Sequence, residues 1–217
     1  MMDHEASPLP DGCPQPGAPG ALRREPDVPR REPDVPEVGS TFLSTDAIAA
    51  RVAELGLEIS RDYAGREILL VGTLKGSIYF LADLARAMTV PVEIDFLALS
   101  SYTKEHKETG SKAIRFLKDL DAPIKDKNVV VVQDMIDSGL TLHYIYRSLS
   151  IRRPHTLEAC VLFDRPQLRL VDLDVKYVGF EVPDDFFVGY GFDYKQLYRN
   201  LPYVAHLNGS PYEPGLF

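Results

Sequence analysis

Between Ser40 and Leu207 two kinds of apolar run alternate. Ile68-Leu69-Leu70-Val71 and Val129-Val130-Val131-Val132 are short, unbroken and bounded by small or polar residues. Runs of this kind predict strands covered on both faces, as in a parallel sheet. Ile48, Val52, Leu55 and Ile59 instead recur every three or four residues, the stripe of an amphipathic helix, and Ser44 or Thr45 stands where its N-cap belongs. Helices are also predicted over 78–88 and 141–149, and strands over 92–99, 113–117 and 157–163. This alternation predicts an α/β domain around a mostly parallel sheet with right-handed crossovers. Residues 100–112 are polar and charged, contain Gly110 and lack apolar periodicity, so a long exposed loop is expected there.

The first 39 residues are different in kind. Pro, Gly and charge dominate, and Arg-Arg-Glu-Pro-Asp-Val-Pro occurs twice, at 23–29 and 30–36. The unit is too short and too poor in apolar side chains to stack as a solenoid. A disordered tail over 1–39 and one ordered domain over 40–217 are expected. At 217 residues, 45% apolar and 26% charged, the chain can build an ordinary core.

Charge and composition then narrow the function. A net charge of -8 argues against broad nucleic-acid binding, which needs a basic face. No apolar run approaches a membrane span, and the N-terminus lacks the order of a secretory signal. Cys13 and Cys160 are the only cysteines, one in the tail and one in a buried run, which fits a reducing cytoplasm better than a disulfide framework. The five His are scattered without ligand spacing, so no zinc site is expected.

Two segments follow buried strands directly, Thr73–Ser77 and Gln133–Thr141. In open parallel sheets ligands gather at the carboxyl ends of strands, so both should face one crevice. Asp137-Ser138-Gly139-Leu140-Thr141 would present several backbone N–H groups and two hydroxyls at a helix N-terminus, with Gly139 allowing close approach. That is phosphate-binding chemistry. An ordinary capped helix would explain the turn alone. The buried strand ahead of it and the carboxylates Asp134 and Asp137 favour the phosphate reading. Those carboxylates can bind sugar hydroxyls, sit near a metal or move a proton.

Strand, acid, Asp-Ser-Gly-x-Thr resembles the phosphoribosyl-pyrophosphate signature of the type I phosphoribosyltransferase family. Leu74-Lys75-Gly76-Ser77, Ser101-Tyr102, 178–183 and Arg199-Asn200-Leu201 match in the expected order. Together with Phe186-Phe187-Val188-Gly189-Tyr190-Gly191-Phe192-Asp193-Tyr194 they resemble its hypoxanthine-guanine branch over nearly the whole ordered domain. The resemblance implies a mostly parallel central sheet flanked by helices, with a small hood subdomain. It implies purine salvage: Mg²⁺-dependent transfer of phosphoribosyl from phosphoribosyl pyrophosphate to hypoxanthine or guanine, giving IMP or GMP and pyrophosphate. A homodimer or homotetramer goes with it.

The same resemblance implies roles residue by residue. Asp137, Ser138, Gly139, Leu140 and Thr141 would hold the 5′-phosphate, and Asp137 would also accept the purine proton. Asp134, with Gln133 beside it, would hold ribose hydroxyls directly or through the metal. Lys75 and Gly76, at a cis Leu74-Lys75 bond, and Arg199 would hold pyrophosphate. Ser101 and Tyr102 would open a lid. Phe186 would stack on the base, Phe187 would offer backbone groups to its edge, and Arg165 would donate to its 6-oxo group. Asp193, with Asp134, would bind Mg²⁺.

The chain also departs from the pattern. Gln133 replaces the first acid of the usual pair and removes one negative charge. Arg165 stands where the family carries Lys, and the guanidinium fork is larger and more rigid. The lid segment 103–110 is unusually charged. These departures leave two alternatives open: a phosphoribosyl-pyrophosphate-binding regulator or pseudoenzyme, and a xanthine-preferring transferase.

Overall fold

The computed structural model describes residues 37–102 and 113–208. The repeat-bearing part of the expected tail and the lid segment 103–112 lie outside the described residues. In chain order the elements are β1 (Val38–Leu43), α1 (Thr45–Asp62), β2 (Ile68–Leu74), α2 (Ile78–Ala87), β3 (Val92–Tyr102), β4 (Ala113–Lys118), β5 (Asn128–Ile136), α3 (Leu140–Ser150), β6 (Thr156–Asp164), β7 (Tyr177–Glu181), β8 (Phe187–Val188) and β9 (Val204–Leu207).

The apolar runs explain the central sheet. Its strand order is β4-β3-β2-β5-β6-β7, parallel throughout except for β4, which returns antiparallel to β3. Along β2, Ile68 and Leu70 join the cluster built with Ile48, Val52, Leu55 and Ile59 of α1 and Leu81 and Leu84 of α2. Leu69 and Val71 point the other way, into a cluster with Leu142, Ile145 and Leu149 of α3. The four valines of β5 divide in the same manner. A strand with no polar face has to be covered twice, and helices on both faces do that. Ser44 caps α1, its hydroxyl accepting from the Ala47 N–H at 3.2 Å.

The strand order reverses at one place. From β2 the chain moves outward through β3 and β4, then returns to lay β5 against the other edge of β2. Register runs from Ile68 opposite Asn128 to Gly72 opposite Val132. The crevice beyond the carboxyl ends of β2 and β5 is therefore a topological switch point.

Three short strands, in the order β1-β9-β8, form a separate antiparallel sheet, the small hood. It corrects one boundary: β1 begins at Val38, inside the stretch whose composition reads as tail. Val38 pairs with Leu207, a partner too distant for local pattern to reveal. The second correction concerns Ser100, Ser101 and Tyr102. They belong to β3 rather than to a loop, because β4 pairs with them through Arg115, Ile114 and Ala113. No helix among the described residues is long and apolar enough to cross a membrane.

Candidate active site

Residues from three separate segments meet at the switch point. The Leu74-Lys75 peptide bond is cis, and Gly76 follows it directly above β5. Gly76 packs so tightly on Asp134 that a Cβ there would overlap the carboxylate. Gly191, at φ +104°, packs in turn on Gly76, where a Cβ would strike the Gly76 carbonyl oxygen. The Gly191 carbonyl accepts from Arg199 Nη1 at 2.6 Å. Arg199 Nη2 lies 2.5 Å from Asp193 Oδ1. Lys75 Nζ closes the ring by donating to Gln196 Oε1 at 3.2 Å. Lys75, Gly76, Asp134, Asp193 and Arg199 thus form one continuous patch.

The second half of the crevice is the turn from β5 into α3. Gly139 takes the N-cap position at φ +79° and brings no side chain to it. The first turn of α3 therefore keeps backbone N–H groups for an anion. Ser138 Oγ accepts from the Leu140 N–H at 3.4 Å, and the Ser138 carbonyl accepts from the Leu170 N–H at 3.0 Å. Leu140 and Thr141 are exposed at the helix start.

Arg165 follows β6, with its N–H bonded to the Ile136 carbonyl at 3.0 Å. Its side chain is buried and faces Asp137 and Asp184. Nη1 lies 3.3 Å from Asp137 Oδ1 and 3.5 Å from Asp184 Oδ1. Nη2 donates to the Asp185 carbonyl, and the guanidinium lies over the Phe187 ring at 5.5 Å. Only Nε is left without a partner. Phe187 itself is core, its ring against Phe42, Phe163 and His206. Phe186 is half-buried and edge-on to Tyr194 at 6.0 Å. Gln133 is buried, and its Oε1 has no hydrogen-bond partner. Ser101 and Tyr102 end β3 at the same rim of the sheet, their backbones paired with Ile114 and Ala113.

The electrostatics join both halves. Burial pushes the Asp134 carboxyl up to about 6; the charge of Asp137 adds to the rise, while backbone N–H groups and Arg199 oppose it. Asp137 is also raised, by burial first, with Asp184 adding to the rise and Arg165 countering it. Asp134, on which Gly76 packs, thus feels both Arg199 and Asp137. Raised carboxyl groups at such a point suit proton transfer and cation binding.

Gln196, Asp184 and Gly191 make these contacts, yet no sequence pattern marks Gln196 or Asp184. The available signal was position: Asp184 precedes Phe186, and Gln196 falls between Asp193 and Arg199.

Comparison with known proteins bears on the fold and the family. The family model for the phosphoribosyl transferase domain matches residues 39–195. The hypoxanthine-guanine phosphoribosyltransferase of Mycobacterium avium is 42% identical over 183 residues, which cover 82% of this chain and 89% of the relative. The hypoxanthine phosphoribosyltransferase of Salmonella typhimurium is 49% identical over 160 residues, 73% of this chain and 89% of the relative. A crystal structure of a hypoxanthine-guanine phosphoribosyltransferase from Bacillus anthracis, with HEPES in the active site, superposes with a TM-score of 0.74. It is 46% identical and covers 79% of this chain and 99% of its own. The switch point, the Gly139 turn into α3 and these likenesses lead to one conclusion: the chain belongs to the phosphoribosyl transferase family.

Proposed function

We propose that the protein is a purine-salvage enzyme that moves the phosphoribosyl group of phosphoribosyl pyrophosphate onto hypoxanthine or guanine. The observation that carries this reading is the convergence of Lys75, Gly76, Asp134, Asp137, Asp193 and Arg199 at one switch point. The names of the relatives support it.

The turn 137–141 takes the 5′-phosphate on its N–H groups. Asp134 takes ribose hydroxyls, with Gln133 beside it in β5. Lys75 and Arg199 receive the pyrophosphate. Phe186 stacks on the base, while the Phe187 backbone and the Arg165 fork serve its polar edge. Nitrogen N9 of the purine bonds to C1′ as the bond from C1′ to pyrophosphate oxygen breaks. The proton on N7 passes to Asp137, whose raised affinity suits a general base. The carboxylates Asp134 and Asp193 fit Mg²⁺, which uses few protein ligands and keeps phosphate oxygens and water. When bound there, Mg²⁺ supplies charge neutralisation at the leaving pyrophosphate. The segment from Val38 onward serves as the catalytic domain, and the residues ahead of it as a dispensable tail. The assembly is a homodimer or homotetramer in the cytoplasm, without nucleic-acid or membrane partners.

The test is direct. Purified protein receives Mg²⁺, phosphoribosyl pyrophosphate and each of hypoxanthine, guanine, xanthine and adenine, and nucleotide is measured. Turnover of hypoxanthine or guanine that disappears in Asp137→Ala supports the assignment. The ion pair between Arg165 and Asp137 favours one competing reading, a binder without turnover. Binding of phosphoribosyl pyrophosphate with no nucleotide from any base would select it. A preference for xanthine would select the xanthine-preferring alternative, and adenine as sole substrate would overturn the base-pocket assignment.

A further inference from the structure

The hairpin that carries Gln196 is built in an uncommon way. Tyr194 and Leu197 exchange N–H···O bonds at 3.2 and 2.9 Å around a two-residue loop. Both loop residues are left-handed, Lys195 at φ +49° and Gln196 at φ +68°. This φ signature belongs to the tight hairpin turn that favours Asn-Gly, and neither residue here is one that adopts it readily. A side chain held in such a place is a pointer to function.

Gln196 touches three residues of the crevice. Its N–H donates to Asp193 Oδ2 at 2.8 Å. Its Oε1 accepts from Lys75 Nζ at 3.2 Å, across 121 residues of chain, and stands 3.5 Å from Arg199 Nη2. Two cations brought side by side repel each other and carry much side-chain freedom. A shared acceptor offsets part of the repulsion and points both donors to one place. The acceptor is an amide and brings no charge. A carboxylate in its position would form ion pairs that an incoming anion must break. The amide leaves the positive charge of Lys75 available and adds no second carboxylate to Arg199, which already pairs with Asp193.

We propose that Gln196 is a positioning residue for the pyrophosphate end of the site, its carboxamide oxygen the common acceptor that aims Lys75 and Arg199 at one anion. This rests on the assignment of those two cations to pyrophosphate. The left-handed turn sets the reach: the Asn amide, at home in the same backbone, is one methylene shorter.

The experiment uses the full-length enzyme with Mg²⁺ and hypoxanthine. Gln196→Gly relaxes the backbone and deletes the amide, so its melting temperature is equal or higher. Its KM for phosphoribosyl pyrophosphate rises about threefold to tenfold, inhibition by added pyrophosphate weakens by a similar factor, and kcat stays within about twofold. Gln196→Asn behaves like the glycine variant, whereas a role in the turn alone would be fully met by Asn. Lys75→Ala is the control for the underlying assignment. If it changes neither KM nor pyrophosphate inhibition, that assignment falls and the role of Gln196 falls with it. If it weakens both while Gln196→Gly and Gln196→Asn match the parent, the assignment stands and the role of Gln196 is overturned.

Discussion

Arg165 Nη1 lies 3.3 Å from Asp137 Oδ1, a buried guanidinium against a half-exposed carboxylate. The cation restrains the rise that burial and Asp184 impose on Asp137. Arg165→Met removes that restraint, so the Asp137 carboxyl rises further. A general base must be ionised before it can accept a proton. The acid limb of kcat/KM against pH therefore moves to higher pH in Arg165→Met and stays closer to the parent in Arg165→Lys. A pH profile measured with hypoxanthine decides this, and an acid limb moved to lower pH would contradict it.

Asp137→Asn keeps the size of the side chain and an acceptor for Arg165 but cannot take a proton. Its kcat should fall by roughly 10²–10⁴, the usual span for general-base assistance. Binding of phosphoribosyl pyrophosphate, read by equilibrium titration, should change far less, because the N–H groups of the turn remain.

Asp134 couples pH to stability. Its carboxyl is raised from the ordinary carboxylate range to about 6 in the folded chain. Stability linked to this group is fully present below the unfolded value and is lost as pH rises through about 6. Asp134→Asn escapes that loss. Without Mg²⁺ or substrate it should be more stable than the parent at pH 7.5, by on the order of 1 kcal/mol. The gain should vanish by pH 4. Chemical denaturation at the two pH values checks the sign, even though the variant is expected to lose activity.

Gly191→Ala probes the seam between the hood-side segment and the Lys75 bend. Its φ of +104° is hostile to any side chain, and the new Cβ would press on the Gly76 carbonyl. A loss of about 1–3 kcal/mol is expected from the backbone alone. A urea titration reads it. The KM for phosphoribosyl pyrophosphate should rise as well, since Gly76 moves against Asp134.

The two-sided strands and the α1 stripe were legible because each is written in local periodicity. Ile48, Val52, Leu55 and Ile59 are all buried, and the valines of β5 are fully enclosed. The hood was not legible in that way. β8 is two residues long, and β1 starts in Pro-rich surroundings, so neither carries a period. The candidate site divides along the same line. Asp134, Asp137 and Gly139 announce themselves beside a buried strand. Gln196 and Asp184 look like ordinary surface residues until the fold sets them against Lys75 and Arg165.

The sequence by itself determined the alternation of strand and helix, the Gly139 turn after the four valines, and the kinship to phosphoribosyltransferases. All of these depend on residues close together in the chain, where sterics, capping and apolar spacing act. Tertiary structure alone decided which distant side chains meet: Arg165 with Asp137, and Lys75 with Gln196. Those meetings depend on the order in which strands enter the sheet, and a reversal of that order between β2 and β5 carries no mark in the spacing of residues.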